Sequence, residues 1–275
     1  MSQGDLFVTK DSTQTRSRQL LGGTLGDPIL RLQLRGQNEA IDVTDFQFTG
    51  SGSISTSVDK LELYRDGDTS PFALATVGGC GSDDVIGYYK TGAATQSAAT
   101  TFCANMENKQ LVVPAGSDID VIIRPRMKSD TSGGISNEKI QLFITSQAVS
   151  NNTTGSGAVR ARGSESSNDL TANDTDTVAE GEIFFSSTVV ANTSHVDILG
   201  NENTTVLAKL ASVTNANPDP DNTNIPNGVN PFGQFKFTAA AHNNSLNGLN
   251  KWVLSGVIFN VSAINVNLNA TVFKF

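Results

Sequence analysis

The sequence predicts an all-β protein made of two tandem immunoglobulin-like β-sandwich units, the second of them incomplete. Three observations carry this expectation. Gly, Ser, Thr and Asn are abundant while charged residues make up only 17% of the chain, a balance that suits turn-rich β structure. Apolar and polar residues alternate in short runs, and the helical period is almost nowhere to be found. Finally, four segments recur in the same order along the 275 residues, which is the mark of a repeated unit.

The strands follow in order. GDLFVTK, from Gly4, opens the first. LRLQLRG (30–36) places Leu30, Leu32 and Leu34 on one face, as a period of two requires. IDVTDFQFTG (41–50) does the same with Ile41, Val43, Phe46 and Phe48, after one phase slip that a β-bulge would supply. KLELYRDGD ends in Asp66-Gly67, a good hairpin turn. LVVPAGSDIDVIIRP and KIQLFITS supply the later strands of the unit.

The recurrence pairs GDLFVTK at Gly4 with GEIFFSS at Gly181, and LRLQLRG at Leu30 with GQFKFTAA at Gly233. It then pairs IDVTDFQFTGSG with WVLSGVIFNVSA at Trp252, and VDKLELY at Val58 with LNATVFKF at Leu268. Residues 1–148 are therefore expected as one sandwich, 149–180 as an acidic and polar linker containing one short strand, AVRAR, and 181–275 as a second sandwich. The second unit has diverged, since all nine arginines lie at or before Arg162 and 17 of the 25 asparagines follow position 190. On this alignment it also stops short, leaving an apolar face and an unpaired edge; the expectation is either that the chain is a truncated piece of a longer protein or that a neighbouring chain supplies the missing strands.

The formal charge of −8 and the pI near 4.7 argue against nucleic acid or an anionic membrane surface as partner, because both need clustered Lys and Arg. No run reaches the roughly 18 apolar residues of a membrane helix. The opening MSQGDLFVTK lacks the basic and apolar regions of a signal peptide, so the chain either stays inside or is part of a longer secreted protein. Cys80 and Cys103 bracket a Gly-, Ser- and Thr-rich excursion, which points to a disulfide and an oxidising compartment. On the chain-entropy account, closing that loop stabilises the fold by about 3 kcal/mol.

LTANDTDTVAEGE (170–182) gathers Asp174, Asp176, Glu180 and Glu182. Carboxylates at alternate positions of an extended loop suit a hard cation such as Ca²⁺. A second oxygen-rich loop, NPDPDNTNIPNG (217–228), offers Asp219, Asp221 and Asn224. For both stretches the competing reading is a solvated polar loop. For catalysis there are two histidines, His195 and His242, and no nucleophile elbow, zincin, phosphate-loop or dinucleotide motif; the expectation is that the chain is not an enzyme. Tyr88 and Tyr89, inside the cysteine excursion, are the candidate ligand-contact pair, while Trp252 opens an apolar strand and belongs to a core.

The order GDLFVTK, LRLQLRGQNEAIDVTDFQF, VDKLELYRDGD, LVVPAGSDIDVIIRPRM, KIQLFI, with the linker RARGSESSNDLTANDTDTVAEGEIFF, resembles the immunoglobulin-like repeats of large secreted bacterial surface proteins of the candidate-phyla (Patescibacteria) type. The resemblance implies an extracellular, structural or adhesive module of a stalk, surface layer or adhesin. Its partners would be other domains or chains of the same assembly, or surface glycans, with no membrane insertion. Two other classes stay open: a carbohydrate-binding accessory module reading glycans through Tyr88 and Tyr89, and a subunit of an extracellular filament or virus-like assembly completed by strand donation.

Overall fold

The computed structural model describes residues 3–13, 16–51, 54–78, 80, 100–106, 109–146, 158–172, 178–179, 181–191, 196–216, 233–241 and 253–258. The strands are β1 (Asp5–Lys10), β2 (Gln19–Leu21), β3 (Leu30–Gln37), β4 (Ile41–Ser51), β5 (Val58–Arg65), β6 (Ala73–Val77), β7 (Thr100–Asn105), β8 (Val112–Val113) and β9 (Asp118–Met127). They continue with β10 (Lys139–Ile144), β11 (Val159–Gly163), β12 (Thr171–Ala172), β13 (Glu182–Phe184), β14 (Ile198–Leu199), β15 (Asn203–Val206), β16 (Ala208–Asn215) and β17 (Phe235–Ala241). One helical turn, Ile54–Ser57, leads into β5. The all-β expectation holds.

All but the last two strands join one curled mixed sheet, ordered β12-β13-β1-β3-β9-β5-β6-β7-β4-β10-β15-β2, with β8 and β11 also on β4 and β14 on β10. The alternation read from the sequence sets which side chains point inward. Leu30, Leu32 and Leu34 of β3 are buried against Ile41, Val43, Phe46 and Phe48 of β4, with Leu61, Leu63, Val121 and Ile123, in one core. The slip between Val43 and Phe46 is a bulge: β11 pairs Ala161 with Val43 and Arg160 with Asp45, passing over Thr44. The extra residue restores the inward phase for both phenylalanines. At the β5–β6 turn, Gly67 adopts φ +85°, a left-handed conformation that costs glycine nothing. On the outer face, Arg126 forks onto Glu62 (2.9 and 2.7 Å), which also accepts the Tyr64 hydroxyl.

The expected domain boundaries are corrected. Residues expected as linker, AVRAR, form β11 and complete the ladder of central strand β4, pairing Val159 with Phe46 and Arg162 with Asp42. Residues expected to open a second domain form β13, which lies parallel beside β1 with Leu6 opposite Ile183 and Phe7 opposite Phe184. β14 and β15 pair with β10, and β15 runs parallel to β2. Leu170, Ile183, Phe185 and Ile198 belong to the same core as Leu6 and Phe46. An immunoglobulin sandwich is antiparallel throughout, so these parallel pairs also set the sheet apart from two tandem immunoglobulin units.

The physical reason lies in the repeat itself. Gly4-Asp5-Leu6-Phe7 and Gly181-Glu182-Ile183-Phe184 match because they are neighbours in one sheet, exposed to the same core on the same alternate positions. The two phenylalanine rings stack at 5.1 Å with an interplanar angle of 15°.

Among the described strands, only β16 and β17 stand apart, as a two-stranded sheet with Leu210 opposite Ala239 and Val213 opposite Phe237. WVLSGVIFNV, expected as a strand, has no strand within its described residues 253–258, of which Val253 and Ile258 are strongly exposed. The expected strand at 268–275 lies outside the described residues.

Candidate functional site

Among the described residues, two clusters of buried polar groups bring acidic side chains together. The first is the outer face of β4. Its core face carries the phenylalanines; the opposite face carries Asp42, Asp45, Gln47 and Thr49, all buried. Cross-strand neighbours explain how a strand tolerates this. Arg162 on β11 donates from Nε (3.2 Å) and from its terminal nitrogen (3.1 Å) to Asp42 Oδ2. Asp42 Oδ1 and Thr49 Oγ1 are buried and make no hydrogen bond, a cost the strand carries for its position between β7 and β11.

Cys103 on β7 sits opposite Gln47, and Gln47 Oε1 accepts the backbone N–H of Cys80 at 3.1 Å. The two cysteines are joined as a disulfide, with Cα atoms 5.1 Å apart across 23 residues of chain, within the usual span of such bridges. The expected Cys80–Cys103 pairing is thus present, pinned to the central strand. A carboxylate oxygen of Asp45 and both sulfurs lie within 4.8 Å of one another. Three such groups at that spacing have the makings of a metal cage, but bonded sulfurs offer no thiolate, the form that binds metal.

The second place is the edge where the chain's two matching segments meet. Asp5 is fully buried; its Oδ1 accepts the backbone N–H groups of Gly181 (3.0 Å) and Glu182 (3.1 Å), and its Oδ2 accepts Asn38 Nδ2 (3.0 Å). Burial raises the Asp5 pKa, against the opposing pull of those three hydrogen bonds. Nearby, Glu39 gathers three segments. Its Oε1 accepts Gly4 N (3.2 Å) and Ser166 Oγ (2.8 Å), and its Oε2 accepts the N–H groups of Glu165 (3.1 Å) and Ser166 (3.0 Å). Burial would raise the Glu39 pKa, but the donors from Ser166, Glu165 and Gly4 outweigh it and hold the carboxyl below its ordinary value. Gly4 is required here, because a Cβ would run into the Glu39 side chain.

Glu182, expected among the calcium ligands, is a buried residue of β13 whose backbone N–H serves Asp5. Its expected companions Asp174, Asp176 and Glu180 lie outside the described residues, as do Asp219, Asp221 and Asn224 of the second loop and the contact pair Tyr88 and Tyr89. In sequence the acidic stretch falls between β12 and β13, two adjacent parallel strands with Thr171 opposite Glu182. Asp5, Glu39, Asp42 and Asp45 were not singled out from the sequence. Acids on alternate positions of a strand read as a solvated face, and only the neighbouring strands reveal that this face is covered.

No family model matches the chain, and no curated protein matches it. Among solved structures, one match is AvmM, which catalyses macrocyclization in alchivemycin A biosynthesis. It is 9% identical, with a TM-score of 0.30 over 74% of this chain and 87% of that one. The matched protein is an enzyme, against the expectation that the chain is not one; a likeness this slight assigns no activity. No helix among the described residues is long and apolar enough to cross a membrane, which leaves β-barrel insertion unaddressed.

Proposed function

We propose that the chain is a structural or adhesive module of an extracellular bacterial surface protein, working in a stalk, surface layer or adhesin. The observation that supports this most is the disulfide between Cys80 and Cys103, set against the central strand and braced by Gln47. Bridges of this kind persist in oxidising surroundings and are rare where glutathione keeps thiols reduced. The surrounding architecture suits a load-carrying role. The central strand is flanked on both sides, and the side chains of Asp5 and Glu39 tie distant stretches of chain to the first strands. The partners are other modules or chains of the same assembly.

Protease treatment of intact source cells, followed by non-reducing mass spectrometry of the released peptides, tests the proposal. The expected result is release of this chain from the cell surface with the Cys80 and Cys103 peptides joined. Recovery only from the lysed interior, with both cysteines as free thiols, would overturn it.

A further inference from the structure

We propose that Asp45, Cys80 and Cys103 form a zinc site in the reduced chain, where the metal takes the place of the disulfide. The inference goes beyond the surface-module reading and stands on the geometry around β4.

Two central strands bring the three side chains together. The bulge that passes over Thr44 puts Asp45, which is buried, on the same outer face of β4 as Gln47 and Thr49. On β7, Asn105 lies opposite Asp45 and Cys103 opposite Gln47, so Asp45 and Cys103 are diagonal neighbours on one face. Cys80 enters from just beyond β6, and Gln47 Oε1 holds its backbone N–H at 3.1 Å. That bond does not involve the sulfurs. It therefore keeps Cys80 beside Cys103, with Cα atoms 5.1 Å apart, when the bridge opens.

The spacing fits zinc. One carboxylate oxygen of Asp45 and both sulfurs lie within 4.8 Å of one another. With Zn–S about 2.3 Å and Zn–O about 2.1 Å in a tetrahedral site, two thiolates stand about 3.8 Å apart, and a thiolate and a carboxylate oxygen about 3.6 Å apart. Both separations fall inside that limit, so small side-chain rotations suffice. Thiolate ligands select Zn²⁺ over Ca²⁺ or Mg²⁺, and three protein ligands leave the fourth position to water. Two electrons and two protons separate the two states. A dithiol reductant cleaves the Cys80–Cys103 bond, giving two thiols while the dithiol becomes its own disulfide. Zn²⁺ then displaces both thiol protons as two Zn–S bonds form. Reoxidation by a disulfide re-forms the S–S bond and releases the metal.

Equilibrium dialysis of the full-length chain against Zn²⁺ alone provides the test, with one sample oxidised and another reduced by dithiothreitol that is then removed without air. The reduced chain should bind one more zinc than the oxidised chain, which accounts for any zinc held by carboxylates elsewhere. Asp45→Asn should weaken that binding about ten-fold or more, at least what an outer-shell partner is worth, and should still re-form the Cys80–Cys103 bridge on oxidation. Zinc-edge X-ray absorption of the reduced wild type counts the ligands without a variant, and two sulfurs with two lighter atoms are expected. Equal zinc uptake by the two redox forms overturns the proposal, and so does any other sulfur count. An Asp45→Asn chain that re-forms the bridge and binds zinc as tightly as the wild type overturns the three-residue site. None of these outcomes touches surface release from cells, so failure of this inference is distinguishable from failure of the surface assignment.

Discussion

Glu39 shows how much a single side chain can organise. Its carboxylate takes four hydrogen bonds, from Gly4 just before β1 and from the turn after β11. Because its folded pKa lies below its ordinary 4.5, the stability it supplies is fully present above that value and is lost as pH falls through the folded pKa. Asp5 runs the other way. Its pKa is raised from 3.8 by burial, so its contribution favours the folded state at low pH and declines as pH rises through the raised value. Glu39→Gln should therefore cost about 1–2 kcal/mol at neutral pH, and chemical denaturation should show the gap from wild type closing as the solution is acidified. A gap that stays constant down to strongly acid pH would show that the charge of Glu39 is not what holds the turn. Removal of the disulfide is a second test on this scale. Cys80→Ser with Cys103→Ser should lower unfolding free energy by about 3 kcal/mol, measured by urea titration.

Among the elements, β4 was the most readable and the most deceptive. Its inward residues, including the phase shift before Phe46, follow from alternation alone, and the structure buries every one of Ile41, Val43, Phe46 and Phe48. Its outward residues give no such signal. Asp42 is as buried as Phe46, and what makes that tolerable is Arg162, 120 residues further on. Alternation tells which side chains share a face; it does not tell which strand lies alongside. For the same reason AVRAR reads as a strand in the sequence, while its partner β4 does not show there. Arg162→Ala should strand the Asp42 carboxylate and cost about 2–3 kcal/mol, somewhat less than a fully buried pair because Arg162 is 42% exposed. Phe46→Ala should cost about 3–5 kcal/mol. Val213→Asn on the exposed hairpin should shift stability by no more than about 0.5 kcal/mol. Melting curves of the three variants check this ranking, and a large loss from Val213→Asn would mean that the hairpin is part of the core after all.

For the molecule as a whole, the recurrence of the Gly4 pattern at Gly181 marks neighbouring strands of one sheet rather than two domains. Order along the chain suggested two domains, each with its own first strand, but sheet topology is decided by packing. Two segments with the same pattern can fill neighbouring places in one sheet as readily as equivalent places in two. Phe7 stacked on Phe184, and Asp5 bonded to the N–H groups of Gly181 and Glu182, make residues 181–185 part of the first strand's surroundings. The core that includes Leu6, Phe46, Val159, Ile183 and Ile198 is continuous, so a small body of this kind should unfold as one cooperative unit. Native-state hydrogen exchange on the full-length chain tests that claim most directly. If β11, β13 and β15 are built into the same core as β1 and β4, the slowest amides of all five strands will open with the same free energy and the same denaturant dependence. If the slow amides of β13 and β15 open separately, at a lower free energy than those of β1 and β4, the chain is two units joined by a linker and the single-core account is wrong.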